Sequence, residues 1–207
     1  MNILQVSPFP AYPPTNGGTK RVHELLSAHG RHSVVRFAFG SVRSDQPRRV
    51  TIEDGYMEYR YRSYAQSIPS FLLRRLFDIP FVYRSKICRI TNPSRLRDRI
   101  EWADVVLVEH PWHCPYVATV ADAETPVVYS SHNAEAELYA DLATGVVGRR
   151  LHHHVERIER QAVETADHIV VTADRDAEYY RDAFDPGGQI TVVPNGAPIV
   201  DEPTVGP

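Results

Sequence analysis

Four short runs in the second half of the chain, at 105–108, 127–130, 168–171 and 190–193, do most to limit what it can fold into. Three are mostly Val, Ile and Leu, 127–130 is Val-Val-Tyr-Ser, and all are too short for a helix of their own. A strand buried on both faces reads as a continuous apolar run, and strands of that kind belong to parallel sheets with helices on either side. Helical sequence fills the intervals: 115–122, a stretch reaching about Ala143, a longer one from about Val147 to Thr165, and Ala173 to Ala183. In the longer one, Leu151, Val155, Ile158 and Ala162 recur at helical spacing. Earlier strands are expected at 2–6, 33–39 and 56–61, and short helices at 70–77, 81–92 and 94–102. The expected class is α/β: a parallel sheet of about six to seven strands with helices on both faces.

The first thirty residues carry the most pointed local signal. Asn2–Val6 reads as a strand, and the proline-rich stretch from Ser7 to Asn16 cannot continue it, because proline has no N–H for a ladder. Gly17-Gly18 follows, and then helical sequence from Thr19 to a stop at Gly30. A helix N-terminus offers unpaired N–H groups and partial positive charge, and paired glycines let an anion approach them. A turn that merely needs glycine is the plainer reading. No G-x-x-x-x-G-K-[ST] or G-x-G-x-x-G occurs, and the second strand runs out through Phe39-Gly40-Ser41-Val42-Arg43 without an acid for a ribose. The loop is thus no P-loop, and the pattern argues against a dinucleotide redox cofactor.

Charge is unevenly spread. Residues 60–99 hold ten basic and two acidic side chains, +8 in all, so the rest of a chain with net charge −3 carries −11. Phe71, Leu72, Leu73, Phe77, Phe81 and Tyr83 are interleaved with Arg74, Arg75, Arg84 and Lys86. That mixture suits an anionic membrane surface. It equally suits helices that turn their apolar faces inward and leave arginine in water. No recognised nucleic-acid module surrounds the patch, so nucleic acid is not an expected partner. No apolar run approaches membrane-spanning length, the N-terminus does not read as a secretory signal, and Cys88 and Cys114 are too few for a disulfide framework. The expected location is cytoplasmic, with peripheral attachment at the inner membrane face if the basic segment is used.

In an open α/β sheet, ligands bind beyond the carboxyl ends of the strands. The first strand leads to Gly17 and Gly18. The 105–108 strand delivers Glu109, His110 and His113, and the 127–130 strand delivers His132, Asn133 and Glu135. His132, just past a strand end, is the leading candidate to meet a ligand hydroxyl or move a proton. A histidine bonded to a neighbouring loop is the competing reading. Zinc held by Glu109, His110, His113 and His132 is a weaker one, since the spacing straddles Pro111 and matches no helix-borne motif. Consecutive His152, His153 and His154 point to different faces of a helix and do not share an ion. No metal is expected.

The ordered set "NILQVSPFPAYPPTNGGTKRVHEL", "ADVVLVEHPW", "PVVYSSHNAEAE", "ERQAVETADHIVVTADRDAEYYR" and "ITVVPNGAP" resembles the Rossmann-like N-terminal domain of GT-B-fold glycosyltransferases of the retaining family-4 type. The likeness runs from Asn2 to Gly196. It implies that Gly17 and Gly18 lie against a donor diphosphate and that His132 contacts the donor sugar at the reaction centre. It also implies that Lys20, Arg21, His110, Asn133 and Glu135 line the donor and acceptor side. The implied reaction is sugar transfer from a nucleotide-sugar, used as substrate without a resident cofactor, to a glycan or lipid-linked hydroxyl. Residues 1–196 would be the acceptor-side domain and 197–207 a linker, with the donor-binding C-terminal domain absent from the chain or separately encoded. Relatives often carry an acid before the histidine, where this chain has Ser131. A chain with one wall of the cleft is expected to be inactive alone, and a non-catalytic membrane- or partner-binding module stays open as the alternative.

Overall fold

The computed structural model describes residues 1–140 and 144–196; the expected helix end at Ala143 and the linker reading of 197–207 lie outside the described residues. One sheet organises the chain. Its strands are β1 (Asn2–Ser7), β2 (Ser33–Gly40), β3 (Arg49–Glu53), β4 (Tyr56–Arg62), β5 (Val105–Glu109), β6 (Val127–Ser130), β7 (His168–Val171) and β8 (Gln189–Val192). They lie in the order β3-β4-β2-β1-β5-β6-β7-β8 and are parallel throughout, except that β3 runs antiparallel to β4.

The eight strands exceed the expected six to seven by β3. It is a half-exposed edge strand, so it has no continuous apolar run to announce it. Pairing with β4 across Asp54-Gly55 makes it, with Gly55 at φ 75° in the left-handed region that the tight turn demands.

The helices are α1 (Gly17–Glu24), α2 (Tyr64–Phe77), α3 (Arg84–Thr91), α4 (Ser94–Trp102), α5 (Cys114–Val120), α6 (Glu135–Ala140), α7 (Gly145–Thr165) and α8 (Asp174–Ala183). α1 is shorter than expected. After Glu24 the backbone tightens into i→i+3 turns, from Leu26 N–H to His23 O and from Ser27 N–H to Glu24 O, and Gly30 completes the reversal at φ 61°. α2 is longer than expected, and Pro69 lies within it.

Leu4, Val6, Phe37, Val106, Val108, Tyr129 and Ile169 form the centre of the core. A second apolar cluster, with Ile79, Val82, Trp112, Leu151, Val155 and Ile158, joins the α2–α3 region to α7. The apolar stripe expected on α7 is the face that is buried. β1 stands between β2 and β5, so the chain leaves it first to one side and then to the other. That reversal opens a crevice beyond the carboxyl ends of β1 and β5.

Candidate active site

The loop after β1 enters the crevice under restraint. Glu58 Oε2 on β4 accepts the N–H groups of Ala11 at 2.8 Å and Tyr12 at 3.1 Å. The loop ends in a capping box that starts α1: Asn16 Oδ1 accepts from Thr19 N–H at 3.0 Å, and Thr19 Oγ1 accepts from Asn16 N–H at 3.0 Å. Gly17 and Gly18 are the first two helical residues. Neither has a positive φ. A Cβ at Gly17 would meet nothing within 4 Å, and one at Gly18 would make only ordinary contact, 3.6 Å from Asn16 Oδ1 and 4.0 Å from Phe9. The fold itself therefore does not require glycine at either position.

A cleft of about 680 Å³ lies beside this helix start, lined by Gly17, Lys20, Arg21 and Glu24 on one side and by Val193, Pro194, Asn195 and Gly196 on the other. Arg21 is its one buried cation. Arg21 Nη1 donates to Val193 O at 2.9 Å and Asn195 Oδ1 at 3.0 Å. Its Nε and Nη2 are buried without a partner among the described residues. Burial pulls the Arg21 pKa down and the Glu109 charge pulls it back up. Two donor nitrogens of Arg21 thus remain unpaired among the described residues.

The ends of β5 and β6 bring two histidine–carboxylate pairs together. His132 Nε2 lies 2.8 Å from Glu109 Oε2, and His110 Nδ1 lies 2.7 Å from Glu135 Oε1. The two imidazoles stack at 4.1 Å with 24° between their planes. His110 reaches this position only by adopting φ 61°, ψ 161°, a region that costs a side-chain-bearing residue about 1–3 kcal/mol. Burial, the neighbouring His110 and the Arg21 charge lower the His132 pKa against the pull of Glu109. Burial would raise the Glu109 carboxyl, but hydrogen bonds from His132 and Gln5 and the His132 charge hold it below its ordinary value. A neutral imidazole beside an ionised carboxylate carries its proton on Nε2. Nδ1 is then a lone-pair acceptor.

Behind Glu109 runs a row of buried polar side chains that the sequence reading missed. Gln5, Arg36 and Glu58 are direct neighbours across β1, β2 and β4. Gln5 Nε2 donates to Glu109 Oε1 at 2.6 Å and to Val22 O at 2.8 Å. Arg36 donates to Gln5 Oε1 at 2.8 Å, to Glu58 Oε2 at 3.1 Å, to Val22 O at 3.1 Å and to Tyr56 Oη. Arg60 Nε donates to Glu58 Oε1 at 2.7 Å. The row thus links the proline-rich loop to His132 through protein alone. Its signal in the sequence is a polar residue interrupting each apolar strand: Gln5 in β1, Arg36 in β2, Glu58 in β4.

The expected site residues divide. Gly17, Lys20 and Arg21 share the cleft, and His110 and His132 share the stack. Asn133 is exposed beside His132. Glu135 is buried at the start of α6, where it orients His110 rather than facing the cleft. His113 stands apart from the carboxylates, stacked on Phe39 at 4.1 Å with both ring nitrogens buried. Ser131 is buried too. Its Oγ lies 2.7 Å from Tyr180 Oη, which donates to Glu159 Oε1 at 2.8 Å, and Glu159 accepts the N–H groups of Glu135 and Ala136 that open α6. A carboxylate from α7 therefore serves the loop after His132. His152, His153 and His154 find separate neighbours: Ala136 O, Glu156 and Arg157.

Arg84 must be removed from the expected membrane patch. It is buried, its Nη1 donates to Gln66 Oε1 at 3.3 Å, and its guanidinium lies over the rings of Phe39 and Phe81. Burial lowers its pKa to about 10. Arg74, Arg75 and Lys86 are exposed. Among the described residues no helix is long and apolar enough to cross a membrane.

The chain matches solved structures over nearly its whole length. Sucrose-phosphate synthase from Thermosynechococcus elongatus superimposes with TM-score 0.67 at 13% identity, covering 94% of this chain and 48% of that one. Trehalose-6-phosphate synthase OtsA gives 0.57 at 14% identity, covering 95% and 50%. UGT2 of Phytolacca americana, complexed with UDP-2-fluoro-glucose and pterostilbene, gives 0.55 at 9% identity, covering 94% and 54%. The chain thus spans about half the length of each of these three. Such identities establish the fold, which is that of one Rossmann-like half of a GT-B enzyme. No curated protein matches the chain by sequence. The family model described as glycosyl transferase 4-like domain matches residues 16–196, and the chain belongs to that family.

Proposed function

We propose that this domain is one wall of a retaining glycosyltransferase site that binds the diphosphate of a nucleotide-sugar. One observation carries the reading: Gly17 and Gly18 are free of side chains at a helix start where neither backbone strain nor packing asks for glycine. Open space where Gly17 would carry a Cβ lets a diphosphate oxygen approach the helix start. Arg21, with two unpartnered donors on the same cleft, adds charge. UGT2, complexed with UDP-2-fluoro-glucose, shares the fold.

His132 Nδ1 accepts a hydroxyl of the donor sugar, and Glu109 holds the ring in that tautomer. Lys20 and Asn133 complete the exposed rim. No resident cofactor enters, because the helix start and the cations stabilise the leaving diphosphate. The facing wall, which excludes water and holds the diphosphate from the other side, lies outside the described residues. The acceptor is a glycan or a lipid-linked hydroxyl. Lipid linkage is favoured by α2, whose Ile68, Phe71, Leu72 and Leu76 are 55, 62, 51 and 67% exposed beside Arg74 and Arg75. An anionic membrane face meets both the apolar row and the charge.

The test is calorimetric titration with UDP, GDP and their sugar conjugates, alongside Gly17→Val. Weak binding that needs the diphosphate and disappears in the variant is expected. No binding at millimolar ligand, or equal binding by the variant, overturns the reading.

A further inference from the structure

A second cavity has no part in the donor reading. It is an open groove of about 610 Å³ between α3 and the outer face of α7. Lys86, Arg150, Arg157 and Arg160 line it, with Glu156 as its one acid. Glu156 already serves Arg160 at 3.7 Å and His153 at 3.3 Å. Among the described residues, Lys86, Arg150 and Arg157 have no carboxylate partner.

His154, on the same wall, adds an independent observation. Its Nδ1 accepts from Arg157 Nη2 at 2.7 Å, so the proton of the neutral ring is on Nε2. That Nε2 is buried with no partner among the described residues. Tyr83 packs its ring 5.1 Å from the His154 ring and closes that end of the groove. Burial, then the charges of Arg157 and Lys86, push the His154 pKa below its ordinary value. The groove thus gathers cations that repel one another and a donor left unused. Arg36 and Arg60, buried in the sheet, are by contrast matched by carboxylate and carbonyl oxygens.

We propose that the groove between α3 and α7 is a second anion site, which takes a phosphate or diphosphate group apart from the Gly17 cleft. Arg150 and Arg157 grip non-bridging oxygens, Lys86 adds a point charge, and His154 Nε2–H donates. The anion is the phosphate of a lipid headgroup or of a soluble phosphorylated molecule. The lipid source fits the exposed apolar row of α2, which flanks the apolar cluster on which α7 packs.

The test uses ¹H–¹⁵N NMR of the whole chain, titrated with inorganic pyrophosphate and, separately, with phosphatidylcholine vesicles with and without phosphatidylglycerol. Gly17→Val and Arg150→Glu/Arg157→Glu are run in parallel. Saturable shifts on α3 and α7, with a rise in the His154 pKa, are expected. They survive in Gly17→Val, which separates this site from the donor cleft. They weaken at least tenfold in Arg150→Glu/Arg157→Glu, whose exposed positions leave the fold intact by circular dichroism. Saturation by pyrophosphate assigns a soluble phosphate, and broadening only with phosphatidylglycerol assigns a headgroup. Shifts confined to α1, or none with either probe, overturn the proposal.

Discussion

Arg36 and Arg157 carry the same guanidinium into opposite situations. Arg36 is wholly buried in the sheet and donates to Gln5, Glu58, Val22 and Tyr56. Arg157 stands on α7 with a histidine nitrogen as its partner among the described residues. Burial makes the difference. A charge removed from water must be matched nearly atom for atom, whereas an exposed one has water as its partner. The inner row is therefore rigid, and it spends its charge on positioning the loop and His132. The outer face keeps its charge unspent and available to a ligand.

The contrast breaks most sharply at Glu58. Glu58→Ala strands Arg36 and Arg60 and frees the Ala11 and Tyr12 N–H groups, so it is expected to cost about 3–5 kcal/mol in urea unfolding. A loss no larger than that of a surface substitution would erase the distinction between the two regions.

Glu159 gives the next effect, through pH. Burial outweighs its backbone and Tyr180 donors and raises its pKa from 4.5 to about 7. The folded chain then holds a proton that the unfolded chain has lost between pH 4.5 and about 7. This contribution to stability is complete below 4.5 and declines as pH rises through about 7. In Glu159→Gln that slope is expected to vanish from a pH series of unfolding curves.

Glu109→Gln keeps the shape but removes the carboxylate under His132. The expected loss is about 1–3 kcal/mol. The ¹⁵N shifts of His132 would also lose the Nε2–H signature, and nucleotide-sugar affinity would fall with them. Smallest of all, Arg74→Ala/Arg75→Ala is expected to stay within about 0.5 kcal/mol of the parent in urea, while salt-sensitive sedimentation with anionic vesicles declines.

Much of this architecture was legible. The runs at 105–108 and 127–130 became β5 and β6, and the stripe on α7 is its buried face. β3 had a signal too, in Asp54-Gly55 between two alternating segments, but half-exposed alternation is a weak one. Positions of site residues past strand ends were also readable, since the carboxyl-edge rule needs only strand order and direction. Partners were not. The basic segment 60–99 looked uniform, yet Arg60 and Arg84 are buried while Arg74, Arg75 and Lys86 are exposed.

The sequence by itself determined the alternation of strands and helices, the paired glycines at the start of α1 and the placing of His132 beyond β6. Those follow from periods of two or 3.6 residues and from local backbone chemistry, which a short window contains. Only the tertiary structure decided that Gln5 meets Glu109, that Arg36 meets Glu58 and that His110 stacks on His132. Gln5 and Glu109 are 104 residues apart and touch because two crossovers in opposite directions set β1 between β2 and β5. Which charge is buried, and against what, is settled by that strand order.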